Sequence, residues 1–307
     1  MSFSSGVKTD LAELPFGKKC CMRAEAYGIL LFSKNFSYGS VTLQTDNHAV
    51  AQRTAGLIKR LCKVTMNITR GETGVYIVSV PDFDDRVKLL EYFGKSRLET
   101  VMRINRANID DACDGCLKSF IRGCFFVCGS ISDPAKSYHF ELNITRKKLS
   151  EDLVTLLNEN SINPKTAARR NSTVVYFKKS EDIEDMLTFM GASNASLEIM
   201  SVKIYKDIKN RENRLSNCDV ANLEKTAIAS LRQCKAIQVI EKYASLETLA
   251  DDLKAVAILR KENPEMSLTE MGAALEPKLT RSGVNRRLDK IEAIAEDLKL
   301  RYNKEGK

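Results

Sequence analysis

The sequence contains no hydrophobic run long enough to cross a bilayer. A transmembrane helix needs about 20 consecutive apolar residues, and no stretch of the 307-residue chain approaches that length. The first residues, MSFSSGVKTDLAELPFGKK, also lack the apolar segment of a signal peptide. These absences argue against a membrane or secreted protein, so we expect a cytoplasmic protein without a membrane partner.

Histidine is scarce, since His48 and His139 are the only two. The nine cysteines are an odd number in a chain without an export signal, so we do not expect a disulfide framework. One CxxC motif is present at residues 113–116, and Cys124 and Cys128 follow it. No second CxxC exists, and buried cysteine behaves as a small apolar residue. We therefore predict neither a metal nor a cofactor, and keep a cysteine-based zinc or redox sensor as an alternative.

Acidic residues are outnumbered by basic ones, which leaves a net charge of +8. Such a balance favours a polyanionic partner such as nucleic acid. Hydrophobic and charged residues make up 43% and 29% of the chain, as in ordinary folded proteins, so disorder is not expected. The length is sufficient for two or three domains with their own cores.

Residues 20–191 repeat one pattern twice. Each copy begins with an apolar helix that contains glycine, at Gly28 and Gly123, and continues with a strand, a helix, a hairpin and a closing helix. The two glycines lie 95 positions apart, and Gly94 and Gly191, which end the copies, lie 97 apart. Alternating strands covered by amphipathic helices predict α+β halves. Glycine would allow the two apolar helices to pack closely and join the halves.

From Ala195 onward the sequence is persistently helical. An apolar stripe at helical spacing predicts a helix that packs against other helices. The stripe consists of Leu197, Met200, Ile204 and Ile208. The segment NRLSNCD, with Ser216 and Asp219 as a capping box, then predicts a break in the helix.

Near the end of the chain, the pattern predicts three helices, of which the middle one is short. Asn263-Pro264 ends the first helix, and Ser267 with Glu270 forms a capping box for the second. The last helix begins at Thr280 or Ser282. Its core stripe is Val284, Leu288, Ile291 and Ile294. This arrangement is typical of a helix-turn-helix module.

The start of the last helix and the turn before it are basic. Arginine pairs bidentately with guanine and asparagine with adenine, while hydroxyl and lysine side chains suit phosphate. We predict base contacts from Arg281, Asn285 and Arg286, with Ser282 beside them for a base or a phosphate. The predicted phosphate contacts are Ser267, Thr269, Lys278, Thr280, Arg287 and Lys290. The alternative is a basic helix that is merely solvated.

The duplicated region, residues 20–191, resembles the LAGLIDADG homing endonucleases. In those proteins, two apolar helices of this kind pack together at a pseudo-twofold axis. There, acidic residues at the ends of the helices hold divalent metal over DNA. The matching positions in this chain are Ser33 and Cys128, neither of which is a carboxylate. Because Mg²⁺ needs oxygen ligands of the carboxylate type, the match implies an inherited fold without nuclease chemistry. A metal-dependent endonuclease is the enzyme alternative.

Three segments together resemble the WhiA family of Gram-positive transcription regulators. They are CDGCLKSFIRGCFFVCGSISDPAKSYHFEL, NRLSNCDVANLEKTAIASLRQCKAI and SLTEMGAALEPKLTRSGVNRRLDKI. The resemblance implies a duplicated LAGLIDADG-like αββαββα domain followed by an all-α helix-turn-helix domain. It also implies sequence-specific binding of double-stranded promoter DNA, a nucleoid-associated location, and a role in cell division, chromosome segregation or sporulation. RNA polymerase or another transcription regulator is a candidate partner.

We place the two halves of the duplicated domain at residues 1–112 and 113–210. A linker at 211–221 and the helix-turn-helix domain at 222–307 follow. The basic clusters Arg146-Lys147-Lys148 and Arg169-Arg170 are candidates for additional DNA contacts from the duplicated domain.

Overall fold

A computed structural model describes residues 2–97 and 101–305 of the chain. It divides into two compact units, residues 1–206 and 207–307. Each unit has its own hydrophobic core. Within the described residues, no helix is both long enough and apolar enough to span a membrane.

The first unit begins with a helix that the sequence patterns did not predict, α1 (Phe3–Glu13). Two halves with the same order of elements follow. The first half consists of α2 (Lys19–Phe32), β1 (Asn35–Phe36), β2 (Val41–Thr45), α3 (His48–Cys62), β3 (Asn67–Arg70), β4 (Tyr76–Ser79) and α4 (Phe83–Tyr92). The second half consists of α5 (Asp114–Cys128), β5 (Gly129–Ile131), β6 (Phe140–Ile144), α6 (Lys147–Glu159), β7 (Lys165–Arg169), β8 (Ser172–Phe177) and α7 (Ser180–Met190). The duplicated αββαββα order is confirmed.

Each half contains one antiparallel four-stranded sheet. The strand orders are β1-β2-β4-β3 and β5-β6-β8-β7, so the two sheets have the same topology. Leu43 pairs with Val78 in the first sheet and Leu142 with Val175 in the second. All four of these side chains are buried. One face of each sheet therefore faces the helices, as alternating strands predict.

Helices α2 and α5 pack against each other through their glycines. A Cβ atom on Gly28 would lie 2.4 Å from the carbonyl oxygen of Phe120, and one on Gly123 would lie 2.3 Å from that of Glu25. Such distances are far below van der Waals contact, so only glycine allows the backbones this close. The predicted seam between the two halves is confirmed.

A buried ionic cluster fixes the same pair of helices. Glu25 of α2 forms an ion pair with Arg53 of α3, and its other carboxylate oxygen lies 3.2 Å from Nε of Arg122 on α5. Arg53 also donates to the carbonyl oxygens of Ala12 and Leu14. One carboxylate thus connects three helices, and each charge is held by hydrogen bonds, as buried charges require.

Helix α8 (Ser193–Tyr243) extends through the boundary between the two units. The helices α9 (Asp251–Glu262), α10 (Leu268–Ala274) and α11 (Arg281–Glu305) complete the second unit. The core of this unit is formed by apolar side chains from all four helices. It includes Ile237, Ile240, Val256, Met271, Val284, Leu288 and Ile291. The three predicted helices, with a short middle one, are confirmed.

The predicted break at NRLSNCD is wrong, because α8 continues through it and contains the whole proposed linker 211–221. Residues 193–243 contain neither glycine nor proline. Serine, asparagine and aspartate each cost less than about 1 kcal/mol in a helix relative to alanine. They weaken a helix without ending it, so Ser216 and Asp219 do not form a cap.

The predicted packing of the apolar stripe in α8 is also wrong. Leu197, Ile204 and Ile208 are 59%, 60% and 54% exposed. The buried face of this part of the helix instead contains the smaller side chain of Ala195 together with Ile199. Spacing determines which residues share a helix face, but a face is buried only where another element covers it.

Candidate DNA-binding helix and the former metal positions

Helix α10 and the turn that leads into α11 are held together by a close backbone contact. The N–H of Leu279 donates to the carbonyl oxygen of Gly272 at 2.9 Å. A Cβ atom on Gly272 would lie 2.2 Å from the carbonyl oxygen of Leu279. This glycine lets the turn between the helices fold back over α10, which sets the direction in which α11 begins.

The predicted capping box of α10 is confirmed. The N–H of Glu270 donates to Oγ of Ser267 at 3.3 Å, and the N–H of Ser267 donates to the Glu270 carboxylate at 2.9 Å. Helix α11 has its own cap, because the N–H of Gly283 donates to Oγ1 of Thr280 at 3.2 Å. Of the two predicted starting residues, Thr280 supplies this cap.

The apolar stripe of α11 determines which side chains face outward. Val284, Leu288 and Ile291 are fully buried, and Ile294 is half-buried against the same core. The predicted DNA contacts from Arg281 to Lys290 lie on the first three turns of α11, whereas Thr269 lies on α10 and Lys278 and Thr280 lie in the turn between the two helices. Exposed side chains are those of Thr269, Lys278, Thr280, Arg281, Ser282, Asn285, Arg286 and Lys290. An open surface pocket between α10 and α11 is lined by Leu268, Thr280, Arg281, Ser282 and Asn285.

The side chains of the predicted DNA-contacting residues differ in the partners that they have within the protein. Across the described part of the chain, no carboxylate forms an ion pair with Lys278, Arg281, Arg286 or Lys290. Asn285 instead donates its amide to Asp289 at 2.9 Å. The guanidinium of Arg287 donates to Asp252 at 3.1 Å and to the carbonyl oxygen of Gly283 at 3.3 Å.

These contacts separate the predicted DNA-binding residues that are available to DNA from those already engaged within the protein. Arg281 and Arg286 present their guanidinium groups to solvent without an ion-pair partner among the described residues, so they can meet DNA without breaking a contact. Asn285 must leave Asp289 before it can bind a base. Arg287 is half-buried and connects α11 to α9, and the hydroxyl of Ser267 already serves as a cap. Both are therefore better suited to supporting the site than to contacting phosphate.

The two former metal positions hold side chains whose polar atoms face the backbone. Ser33 is buried, and its Oγ donates to the carbonyl oxygen of Leu30 at 2.6 Å. Cys128 donates its thiol to the carbonyl oxygen of Cys124 at 3.2 Å. Burial raises the pKa of the Cys128 thiol to about 12. A neutral thiol and a hydroxyl used as a donor are poor ligands for a hard divalent cation.

Cationic side chains of the protein lie beside both positions. The guanidinium of Arg146 donates to the carbonyl oxygens of Leu31, Ser33 and Lys34 at 3.0–3.2 Å, at the end of α2. Lys8 of α1 lies near Cys128, and burial lowers the pKa of its ammonium group. The guanidinium charge of Arg146 at the end of α2 opposes the binding of another cation there.

The basic clusters of the duplicated domain are largely engaged within the protein. Arg146 is turned inward onto backbone carbonyls, so its predicted role in binding DNA is not supported by its position. Lys148 forms an ion pair with Glu151 at 3.1 Å, and Arg169 forms one with Glu141 at 2.7 Å. Arg170 is exposed.

The cysteines meet in a different combination from the one considered from the sequence. Cys124 and Cys128 lie two to three helical turns beyond Cys116, a rise of about 12 Å or more along α5. The thiols of Cys113 and Cys116 instead meet those of two residues that sequence reasoning missed, Cys20 and Cys21. The backbone N–H of Gly115 is the main cause that lowers the pKa of Cys113 to about 7, whereas burial raises the pKa of Cys21 and of Cys116.

A signal for this meeting is present in the repeat itself. Cys21 and Cys116 lie 95 positions apart, the same separation as Gly28 and Gly123. Because α2 and α5 pack together at these two glycines, residues at equivalent positions of the two helices lie near each other at the same end of the pair.

The fold and the site define a class of protein: a helix-turn-helix DNA-binding module joined to a duplicated LAGLIDADG-like domain. The comparisons with known proteins agree. Residues 117–209 match the family model for the WhiA LAGLIDADG-like domain, and residues 213–295 match that for the WhiA C-terminal HTH domain.

Curated relatives match over nearly the whole chain. A probable cell division protein WhiA from Ruminiclostridium cellulolyticum is 35% identical and covers 97% of this chain and 98% of its own length. A protein of the same description from Thermoanaerobacter pseudethanolicus is 38% identical, with coverage of 98% and 99%. The crystal structure of full-length DUF199/WhiA from Thermatoga maritima is similar at a TM-score of 0.58, with 25% identity and coverage of 97% and 99%. The chain belongs to the WhiA family.

Proposed function

We propose that this protein is a sequence-specific DNA-binding transcription regulator without nuclease activity. The observation that carries the proposal is the start of α11, where the guanidinium groups of Arg281 and Arg286 are both exposed, Arg281 at the first residue of the helix and Arg286 on the face opposite the buried stripe. A helix of this kind fits the major groove of DNA, and its first turns reach the base edges. Arg281 and Arg286 read bases, joined by Asn285 once it leaves Asp289, with Ser282 beside them for a base or phosphate.

Phosphate contacts fix the position of the helix. Lys278 and Thr280 in the turn, Thr269 on α10 and Lys290 one turn further along α11 are exposed around the base-reading group. Contacts of this kind set the register of a protein on the duplex and carry no sequence information. The absence of nuclease activity is supported by the hydroxyl and thiol at Ser33 and Cys128.

The biological role is proposed from the relatives, which are described as probable cell division proteins. We propose promoter DNA as the target, a cytoplasmic, nucleoid-associated location, and a role in cell division, chromosome segregation or sporulation. RNA polymerase or another transcription regulator is the proposed protein partner.

The test compares three alanine variants of α11 by fluorescence anisotropy at physiological salt, on a genomic duplex selected for tight binding and on a scrambled duplex. Arg286→Ala should weaken binding to the selected duplex about tenfold or more, because one bidentate base contact contributes roughly 1–3 kcal/mol. Lys290→Ala should weaken binding to both duplexes alike. Lys299→Ala, an exposed lysine two to three turns further along the helix, is the matched control and should bind normally.

Normal binding by both Arg286→Ala and Lys290→Ala would show that α11 does not read DNA. Incubation of the wild-type chain with supercoiled plasmid and Mg²⁺ tests the second half of the proposal. Plasmid that stays intact supports it, and Mg²⁺-dependent nicking by the purified chain contradicts it.

A further inference from the structure

Four cysteines meet where helices α2 and α5 begin. Cys20 and Cys21 lie in the first turn of α2, Cys113 precedes α5, and Cys116 lies in its first turn. All four sulfur atoms lie within 4.8 Å of one another. Cys21 and Cys116 are buried, and the other two are half-buried.

Three of the six sulfur–sulfur distances match those of a tetrahedral metal site, and all six are within 4.8 Å. Sγ of Cys113 lies 3.7 Å from that of Cys20 and 3.6 Å from that of Cys21, and Cys21 and Cys116 are 4.0 Å apart. Zinc binds thiolate sulfur at about 2.3 Å in a tetrahedron, which places neighbouring sulfurs about 3.8 Å apart. A disulfide would need about 2.05 Å. The observed separations therefore leave room for an ion at the centre of the cluster.

Gly115 leaves the space that the cluster occupies. A Cβ atom on this residue would lie 2.8 Å from Sγ of Cys21. The backbone N–H of Gly115 also lies close enough to the sulfur of Cys113 to lower the pKa of that thiol. Hydrogen bonds from backbone N–H groups to ligand sulfurs orient them and balance their negative charge, as outer-shell partners commonly do in metal sites.

We propose that Cys20, Cys21, Cys113 and Cys116 bind one Zn²⁺ ion that joins the two halves of the duplicated domain. Sulfur ligands in a tetrahedral set of four select Zn²⁺ or iron over Mg²⁺ or Ca²⁺. Four cysteine ligands leave no open coordination position, so the site is structural. Each cysteine that enters as a thiol releases its proton to solvent as its Zn–S bond forms.

The position of the site indicates what the ion does. Two ligands come from the first half and two from the second, at the ends of the helices opposite Ser33 and Cys128. Helix α2 has 14 residues and α5 has 15, so these two ends lie about 20 Å apart. The ion would hold α2 and α5 together at the end of the pair that lies beyond the close backbone contact at the two glycines.

The test is metal analysis of the full-length chain, purified under reducing conditions without chelator. The wild-type chain should contain about one zinc per molecule, and a Cys20→Ser/Cys113→Ser variant should contain less than about a tenth of that. Cys218→Ser, an exposed cysteine of the second unit, is the matched control and should keep its zinc. Cobalt(II) added to the metal-free, reduced wild-type chain should give the absorption spectrum of a tetrahedral four-thiolate site, which zinc then removes.

Purified wild-type chain that contains no stoichiometric metal, and that binds cobalt no better than the double variant, would overturn the proposal. Stoichiometric iron in place of zinc would overturn the assignment of the ion. If the double variant does not fold, the single variant Cys113→Ser and the cobalt spectrum of the wild-type chain still decide the question.

Discussion

Gly28 and Gly123 show how a single atom can decide the association of two halves. At both positions a Cβ atom would fall within 2.4 Å of a backbone oxygen of the facing helix. A backbone oxygen cannot swing aside as a flexible side chain can, so the helices would have to separate. The close spacing of α2 and α5 therefore depends on the absence of a side chain at Gly28 and at Gly123.

We predict that Gly123→Ala destabilises the first unit, by about 1–3 kcal/mol or more, because overpacking of a close seam forces the backbone to shift. Chemical denaturation of the full-length chain, followed by circular dichroism, measures the loss. Gly6→Ala in α1 is the matched control, since nothing lies within 4 Å of a Cβ atom there. It should be neutral or stabilising by up to about 1 kcal/mol, because alanine is the better helix former. Equal behaviour of the two variants would contradict the prediction.

At the scale of elements, the helix-turn-helix module depends on how α10 meets the turn before α11. Local signals determine where these helices begin, through the caps at Ser267 and Thr280. They do not determine the angle between the helices. That angle is set where the carbonyl oxygen of Leu279 approaches Gly272.

We therefore predict that Gly272→Ala weakens binding to every DNA duplex, because α11 can no longer keep its place beside α10. The loss should be about tenfold or more, corresponding to a cost of about 1–3 kcal/mol for overpacking. Fluorescence anisotropy with the selected and the scrambled duplex measures it. Ala273→Ser changes an exposed position of the same helix and should alter stability by less than about 0.5 kcal/mol. A loss limited to the selected duplex would show that Gly272 acts on base reading instead.

At the scale of the whole molecule, the two units have hydrophobic cores that share no residue. The core of the first unit is formed by the duplicated halves, α1 and the start of α8. The core of the second is formed by the end of α8 and by α9, α10 and α11. Units with separate cores can unfold separately, even where one helix contains residues of both.

Differential scanning calorimetry of the full-length chain should accordingly show two transitions. A hundredfold excess of DNA over Kd should stabilise the second unit by about 2.7 kcal/mol and leave the other transition in place. Gly123→Ala should lower only the transition of the first unit, and Gly272→Ala only that of the second. A single transition that moves with either variant would contradict the prediction.

Much of this protein follows from its sequence alone. The repeat at 95 positions, the glycines of the seam, the capping box at Ser267 and the basic start of α11 are all local or periodic signals. Local signals act through neighbours in the chain, so they can be read without knowing the fold. The same holds for the replacement of carboxylates by Ser33 and Cys128.

Only the tertiary structure decided the rest, because it depends on residues that are distant in sequence. It brought Cys20 and Cys21 to Cys113 and Cys116. It turned Arg146 from the surface onto the end of α2, and it left the stripe at Leu197 uncovered. Periodicity shows which side chains share a face of a helix or strand. It does not show which distant residues pack against that face or pair with its charges, because those residues are brought there only by folding.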